Sequence, residues 1–347
     1  MSVSRRLVKE LISDLPLGSV NFAFAYGSGA VPQENERMED KMVDLVLCTK
    51  DPQAFHTENL QQNPSHYSFL RMLGPATITK LQQSTAKVFY NTQIRTTSGR
   101  LIKYGVISEQ DLKTDLLDWR WLYIAGRLQK PVVDVIEPTA DIATWIGQNR
   151  LSALQASLLL LPTTFTYQQL FEKLVGLSYK GDFRMIIGED QGKISKIARG
   201  NADRLEEVYA PLLQADERVS VQNGNVLQVD YCNEAKLVVD ASTPAIYHRL
   251  NLLPYEVVTR LMINWNREHK TMIDAEELQV LFALARRHDV ADHIERTIST
   301  IVRDSSLKQT AKNALSAGVL RSIKYSSEKL IKWGKSIQKA KEEKKGE

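Results

Sequence analysis

A glycine turn between two apolar segments constrains the fold of this 347-residue chain more than any other feature. Residues 19–26 are mostly apolar, the small residues 27–29 follow, and a second apolar segment at 42–48 carries one acid, Asp44. Apolar runs of about four to eight residues bounded by turn signals are typical of buried β-strands. An acid is rare in such a strand, because burying an unpaired carboxylate costs free energy. The pattern therefore predicts two buried strands joined by a turn, with a chemical role for Asp44.

The same turn and acid are what a nucleotidyltransferase requires at its active site. Backbone N–H groups and the Ser28 hydroxyl can approach a triphosphate closely where Gly27 and Gly29 carry no side chain. Asp44 on the following strand can hold a divalent cation that bridges the phosphates. The chemistry indicated is attack on an α-phosphate. The alternative is an ordinary tight turn, with Asp44 held in a salt bridge.

Composition indicates a folded protein with more than one compact unit. Of its residues 43% are hydrophobic and 25% are charged, which in a chain of this length allows sizeable cores. The longest strongly apolar segment, 151–162, is shorter than the roughly 20 residues of a bilayer-spanning helix. Cys48 and Cys232 lie in strand-like runs, which indicates buried thiols in a reducing compartment. The six histidines show no zinc-ligand spacing.

The C-terminal residues differ in charge from the rest of the chain. Residues 319–347 contain nine Lys or Arg and four acids, whereas the net charge of the whole chain is only +4. Apolar residues recur there at helical spacing, and lysines occupy the opposite face. A basic amphipathic helix of this kind can bind an anionic bilayer surface. The alternative is a solvated helix that packs its apolar stripe on the protein body.

Periodicity predicts the remaining elements in outline. Residues 87–93 and 101–107 are expected to form a hairpin, and Ser108 is expected to cap a helix that runs to Gly126. Later segments predict a winged-helix-like unit of amphipathic helices and alternating strands. Its acids, and the lack of interleaved aromatic and basic residues, argue against a nucleic-acid partner.

A series of motifs occurs in order along residues 20–135 and resumes at 178–185. They are Tyr26-Gly27-Ser28-Gly29, Gln33, Lys41-Met42-Val43-Asp44, Phe55-His56-Thr57-Glu58-Asn59, Asn63-Pro64-Ser65-His66-Tyr67-Ser68, Tyr90-Asn91, Ile102-Lys103-Tyr104-Gly105-Val106-Ile107-Ser108, Leu122-Tyr123-Ile124-Ala125-Gly126-Arg127-Leu128-Gln129-Lys130-Pro131 and Ser178-Tyr179-Lys180-Gly181-Asp182-Phe183-Arg184-Met185. Together these motifs resemble the mitochondrial phosphatidate cytidylyltransferase family, also known as the mitochondrial translocator assembly and maintenance protein family.

The resemblance implies an enzyme that transfers the cytidylyl group of CTP to phosphatidic acid, with magnesium, giving CDP-diacylglycerol, a cardiolipin precursor, and pyrophosphate. It implies a peripheral protein on the matrix side of the mitochondrial inner membrane. The expected fold is α+β. Residues 1–145 would form a nucleotidyltransferase-like mixed sheet with flanking helices, residues 146–315 a helical winged-helix-like domain, and residues 316–347 a basic helix on an anionic membrane.

Within these motifs, individual residues can be given roles in phosphate chemistry. Lys103, in an otherwise apolar strand, could neutralise charge at the α-phosphate, or it could be an edge-strand lysine that blocks aggregation. Basic residues beyond it could bind the nucleotide phosphates or the lipid headgroup, or could simply complement a helix end or an exposed turn. The expected catalytic residues are Asp44 and Lys103, and the expected nucleotide ligands are Tyr26, Gly27, Ser28, Gly29, Arg127, Lys130, Lys180 and Arg184.

One departure from nucleotidyltransferases in general concerns the metal site. Those enzymes commonly place two acids one residue apart on the second strand, but here Val46 follows Asp44 at that spacing. A two-metal site needs another carboxylate, and Asp182 and Asp230 are the candidates. Two other functions therefore remain: a nucleotidyltransferase with a soluble or RNA acceptor, and a non-enzymatic assembly factor.

Overall fold

The computed structural model describes residues 10–30, 42–185, 192–222, 236–269 and 277–317. The strands are β1 Val20–Tyr26, β2 Val43–Thr49, β3 Val88–Arg95, β4 Leu101–Ser108, β5 Val133–Ile136, β6 Thr164–Thr166, β7 Val219–Val221 and β8 Lys236–Val239. The α-helices are α1 Pro52–Gln62, α2 Gly74–Gln82, α3 Glu109–Asp118, α4 Ala125–Leu128, α5 Ala140–Leu160, α6 Tyr167–Gly176, α7 Lys193–Gly200, α8 Ala202–Gln214, α9 Thr243–Leu250, α10 Tyr255–His269, α11 Glu277–Ala285 and α12 Val290–Ala317. Two 3₁₀ segments span Pro64–Leu73 and Phe183–Met185.

The first half of the chain forms a five-stranded mixed sheet in the order β3-β4-β2-β1-β5. Strands β2 and β4 are parallel, and the other neighbours are antiparallel. Each face of the sheet packs against a buried hydrophobic cluster. This burial on both faces explains why β1 and β2 are almost continuously apolar. Phe22 and Phe24 enter the larger core cluster, whereas Ala23 and Ala25 enter a second cluster. The predicted α+β class, with a mixed sheet and flanking helices, is confirmed.

The predicted hairpin is confirmed, and its turn contains Gly99 with a positive φ of 82°. Ser108 caps α3 as predicted, since its Oγ accepts a hydrogen bond from the Asp111 amide at 3.0 Å. The expectation that this helix continues to Gly126 is wrong. It ends at Asp118, because Trp119 adopts a left-handed φ of 54°, and the separate helix α4 begins at Ala125.

The second half holds an antiparallel sheet in the order β6-β8-β7, together with several helices. The longest of the described helices, α12, has 28 residues, or about 42 Å. It packs against α5, α10, β3 and the 3₁₀ segment 64–73, and so connects the two halves. None of the described helices combines the length and apolarity needed to cross a bilayer. Cys48 is buried as predicted, whereas Cys232, Asp230 and the tail from residue 318 lie outside the described residues.

Candidate active site

A polar cleft lies where β1, β2 and β4 meet α4, the turn 178–185 and α12. Its volume is about 200 Å³. Most of the residues that line it are polar or charged. They include Tyr26, Gly27, Asp44, Lys103, Tyr123, Gly126, Arg127, Lys130, Ser178, Tyr179, Asp182, Arg184, Lys193, Ser305 and Ser306.

Sheet register brings Asp44 and Lys103 together. They are direct partners on the parallel strands β2 and β4, and Tyr26 is the partner of Asp44 on β1. The Lys103 Nζ lies 3.5 Å from Asp44 Oδ1, with the two side chains 16% and 29% exposed, respectively. Because the pair remains accessible, a ligand that enters the cleft can contact both groups.

The turn after β1 leaves space above the Asp44 carboxylate. Gly27 has a φ of +74°, which favours glycine. A Cβ at this position would lie 3.7 Å from Asp44 Oδ2. A longer side chain there would therefore occupy the space next to the carboxylate. Gly29 has a different role, because a Cβ there would collide with the main-chain oxygen of Met42. Gly29 and Ser28 are not among the residues that line the cleft.

Among the described residues, no group of three or more His, Cys, Asp and Glu side chains could by itself hold a metal ion. Asp182 lines the cleft, but the Nε of Arg184 donates to both of its oxygens, at 2.9 and 3.1 Å. Asp44 is an accessible carboxylate oxygen donor in the cleft, which is the kind of ligand that Mg²⁺ takes at nucleotide sites. Such an ion keeps several waters and is held by one or two carboxylates together with substrate phosphates.

Two further cations, Arg127 and Lys130, line the same cleft as Asp44. The Arg127 guanidinium lies over the rings of Tyr123 and Tyr26, at 4.2 and 5.0 Å from their centroids, and donates to the Tyr123 carbonyl. Lys130 Nζ donates to Ser178 Oγ at 2.7 Å and to the Gly126 carbonyl. Among the described residues, no carboxylate pairs with either cation. Their unbalanced charge favours an anionic ligand.

The ionisation of neighbouring groups reflects this positive field. Burial, reinforced by Arg127 and Lys193, lowers the pKa of Lys130 to about 7. Burial of Tyr123 acts to raise its pKa, but Arg127, Arg184 and Lys103 outweigh it, so the net pKa is lowered. A polyphosphate would relieve the repulsion among these cations.

Asp115 supports the segment that carries Arg127. Its buried carboxylate accepts backbone hydrogen bonds of 2.7–3.1 Å from Trp121, Tyr123, Ile124 and Ala125. Burial raises the pKa of Asp115, while these four amides oppose the rise. The carboxylate thus satisfies the first amides of α4 and fixes the break after α3. Sequence reasoning missed this role, although an acid on the buried face of α3 was a usable signal.

We expect Asp115→Asn to lower the free energy of unfolding by about 1–3 kcal/mol, because the amide NH₂ would face backbone donors. Urea denaturation measures the effect. Asp118→Asn, at the partly exposed end of the same helix, is the matched control. Equal stability of the two variants would contradict the anchoring role.

The structure brings most of the predicted site residues together. Tyr26, Gly27, Asp44, Lys103, Arg127, Lys130, Asp182 and Arg184 all line the cleft. Lys180 does not. It is 54% exposed, pairs with Glu295 and lines a neighbouring pocket. Tyr123 and Lys193 were not assigned from the sequence, although Tyr123 lies inside one of the quoted motifs.

Comparisons with known proteins agree on one family. The family model described as "Phosphatidate cytidylyltransferase, mitochondrial" matches residues 8–332. A relative of that name from Caenorhabditis elegans is 55% identical, covering 94% of this chain and 98% of the relative. One from Xenopus laevis is 39% identical, covering 93% of each.

A solved nucleotidyltransferase-like protein from Exiguobacterium sibiricum is 11% identical. The comparison covers 86% of this chain and 72% of that chain, with a TM-score of 0.22. A likeness this low carries no argument about the fold.

Proposed function

The chain belongs to the mitochondrial phosphatidate cytidylyltransferase family, and we propose on this basis that it transfers the cytidylyl group of CTP to phosphatidic acid. The products are CDP-diacylglycerol and pyrophosphate. The observation that carries the proposal for this chain is the Asp44–Lys103 pair, open to a cation-lined cleft beneath the Gly27 turn. A carboxylate locked to an arginine or turned to bulk solvent would have argued against it.

In the proposed reaction, a phosphate oxygen of phosphatidic acid attacks the α-phosphorus of CTP. The bond from that phosphorus to the β-phosphate oxygen breaks, and pyrophosphate leaves with the electron pair. The nucleophile is already ionised near neutral pH, so this step requires no general base. The shortage of unpaired carboxylates in the described part of the cleft agrees with such chemistry.

The chain's contribution is to hold and neutralise phosphates. Lys103, beside Asp44, would stabilise negative charge on the α-phosphate, and Arg127 and Lys130 would hold the phosphates of the leaving group. Mg²⁺ held by Asp44 and the substrate phosphates would supply further charge neutralisation. Arg184 keeps Asp182 paired, and we therefore assign no step to that carboxylate.

The proposal extends to location and organisation. We place the protein peripherally on the matrix side of the mitochondrial inner membrane, as a supplier of the cardiolipin precursor, with residues 316–347 contributing to membrane contact. The three-stranded antiparallel sheet with α6, α7 and α8 supports a winged-helix-like unit in the second half.

The direct test incubates the purified chain with CTP labelled at the α-phosphate, Mg²⁺ and phosphatidate vesicles. We expect label to appear in a lipid and pyrophosphate to be released only when phosphatidate is present. Label in a soluble or RNA acceptor would instead support a different nucleotidyltransferase. Absence of CTP binding in calorimetry would support a non-enzymatic assembly factor.

A pH dependence of CTP binding follows from Lys130. Its pKa of about 7 leaves it largely neutral above that pH, whereas binding phosphate favours the charged form. Affinity should therefore fall as pH rises from 7.5 to 9, by up to about tenfold per unit. The CTP phosphates are already ionised over this range, since the second pKa of a phosphate is about 6.

Calorimetry at constant Mg²⁺ measures this slope. Lys130→Gln should bind CTP more weakly and with a flatter pH profile, because its side chain no longer takes up a proton. Lys113→Gln, which changes an exposed lysine on α3, should retain the slope of the unchanged chain. A pH-independent dissociation constant in the unchanged chain would contradict the role given to Lys130.

A further inference from the structure

Acidic residues are absent from one long section of the sequence. Residues 59–108 contain no Asp or Glu but six Lys or Arg. They are Arg71, Lys80, Lys87, Arg95, Arg100 and Lys103. In the fold this section forms the 3₁₀ segment 64–73, α2 and the β3–β4 hairpin. These elements therefore contribute no negative side chain of their own to the protein surface.

Three large apolar side chains project from this basic section. Phe69, Met72 and Leu73 are 49%, 84% and 51% exposed; we call them the apolar patch. Arg71 lies between them in sequence, and Lys80 lies on the following helix, both exposed. Apolar groups clustered within five residues and flanked by cations are typical of a surface that contacts a partner.

The exposure of the patch does not come from a loosely held loop. Tyr67 and Leu70, in the same 3₁₀ segment, are buried. The Tyr67 hydroxyl accepts a hydrogen bond from buried Asn59 at 2.8 Å, and Ser68 adopts a left-handed φ of 52°. His66 Nδ1 lies 2.8 Å from the hydroxyl of Tyr104, the residue next to Lys103. The segment is thus anchored on the sheet while the patch faces outward.

Helix α12 contacts both the cleft and the segment that carries the patch. Ser306 lines the cleft, and Lys312 Nζ donates to the carbonyls of Gln82 and Ser84 at the end of α2. The two α12 residues are six positions apart, or about 9 Å along the axis. The same helix contacts the 64–73 segment and ends at Ala317. Residues 319–347, with their excess of positive charge, begin just beyond it.

We propose that the 64–73 segment docks on an anionic bilayer, with the apolar patch entering the headgroup boundary and Arg71 and Lys80 contacting lipid phosphates. The choice of a lipid surface rests on the proposed function, whose acceptor is a membrane lipid. Charge complementarity supports it, since the 64–73 segment and α2 carry the exposed cations Arg71 and Lys80 and no acid, which would attract an anionic surface. Apolar insertion combined with electrostatic attraction is the usual basis of peripheral membrane binding.

Vesicle flotation of the full chain tests the docking surface. The vesicles would contain phosphatidylcholine and about one third phosphatidylserine, without phosphatidate or CTP, so that binding does not depend on the active site. Changing Phe69, Met72 and Leu73 together to serine should lower the fraction of floated protein by about tenfold or more. The control changes Tyr255, Ile263 and Leu278 to serine. These side chains are 64%, 50% and 55% exposed, on α10 and α11.

A double variant, Arg71→Gln with Lys80→Gln, tests the electrostatic contribution to membrane binding. It should weaken flotation on the anionic vesicles, and added salt should reduce the difference from the unchanged chain. Calorimetric CTP binding and thermal unfolding of every variant should remain unchanged, because these side chains are exposed and lie outside the cleft.

Unchanged flotation of the triple patch variant would overturn the docking proposal. If that variant also unfolds at a lower temperature, the patch instead packs against residues 318–347 or against a second copy of the chain. Loss of flotation in the patch variant, with normal flotation of the control, would support it. Because no turnover is measured, failure of the labelled-CTP assay would affect only the proposed function.

Discussion

Asp44→Asn is expected to abolish most cytidylyl transfer while leaving the fold intact. The amide keeps the shape of the side chain but loses the charge that would hold Mg²⁺ against the substrate phosphates. We expect kcat to fall by at least about 10²-fold, comparable to the loss of one group that stabilises transition-state charge. Transfer of label from the α-phosphate of CTP to lipid measures the rate directly.

The stability of this variant distinguishes a chemical role from a structural one. Asp44 and Lys103 are partly exposed and 3.5 Å apart, so loss of the pair should change the free energy of unfolding by no more than about 1 kcal/mol. Asp141→Asn, an acid in the first turn of α5, is the matched control and should retain full activity. Asp44→Asn with normal turnover would leave the proposed mechanism without its central group.

The part of the site that was predictable from sequence depends on short-range pattern. Residues 23–30 and the acid in the next apolar run indicate two strands and a turn. Lys103 stands out because it interrupts an apolar strand of the predicted hairpin. The sheet then places Asp44 and Lys103 side by side, since β2 and β4 are parallel and in register at these residues.

What sequence reasoning missed depends on contacts between distant segments. Helical periodicity continues through Trp121, but the Asp115 carboxylate binds the amides that follow and produces a break that periodicity cannot indicate. Lys193 reaches the cleft on a helix whose position is set by packing in the second half. Lys180 and Arg184 are close in sequence, yet Arg184 faces the cleft while Lys180 pairs with Glu295.

Arg127→Met is the second change from which we expect a large effect, this time on nucleotide affinity. The guanidinium lies over two tyrosine rings and has no carboxylate partner among the described residues. It is therefore positioned and available for a phosphate. Removing a positioned, partly buried charge from a charged ligand costs about 2–5 kcal/mol, so the dissociation constant for CTP should rise at least about 30-fold.

Arg127→Lys separates the contribution of geometry from that of charge. A lysine keeps the positive charge, but it cannot stack as a plane on Tyr123 or donate two parallel hydrogen bonds to one phosphate. We expect it to recover only a small part of the affinity in calorimetry, whereas Arg120→Lys, a change at a surface arginine paired with Glu256, should have little effect. If Arg127→Lys binds CTP as tightly as the unchanged chain, the stacked guanidinium is not the phosphate clamp. Its role would then reduce to the positive potential that the remaining cations of the cleft also supply.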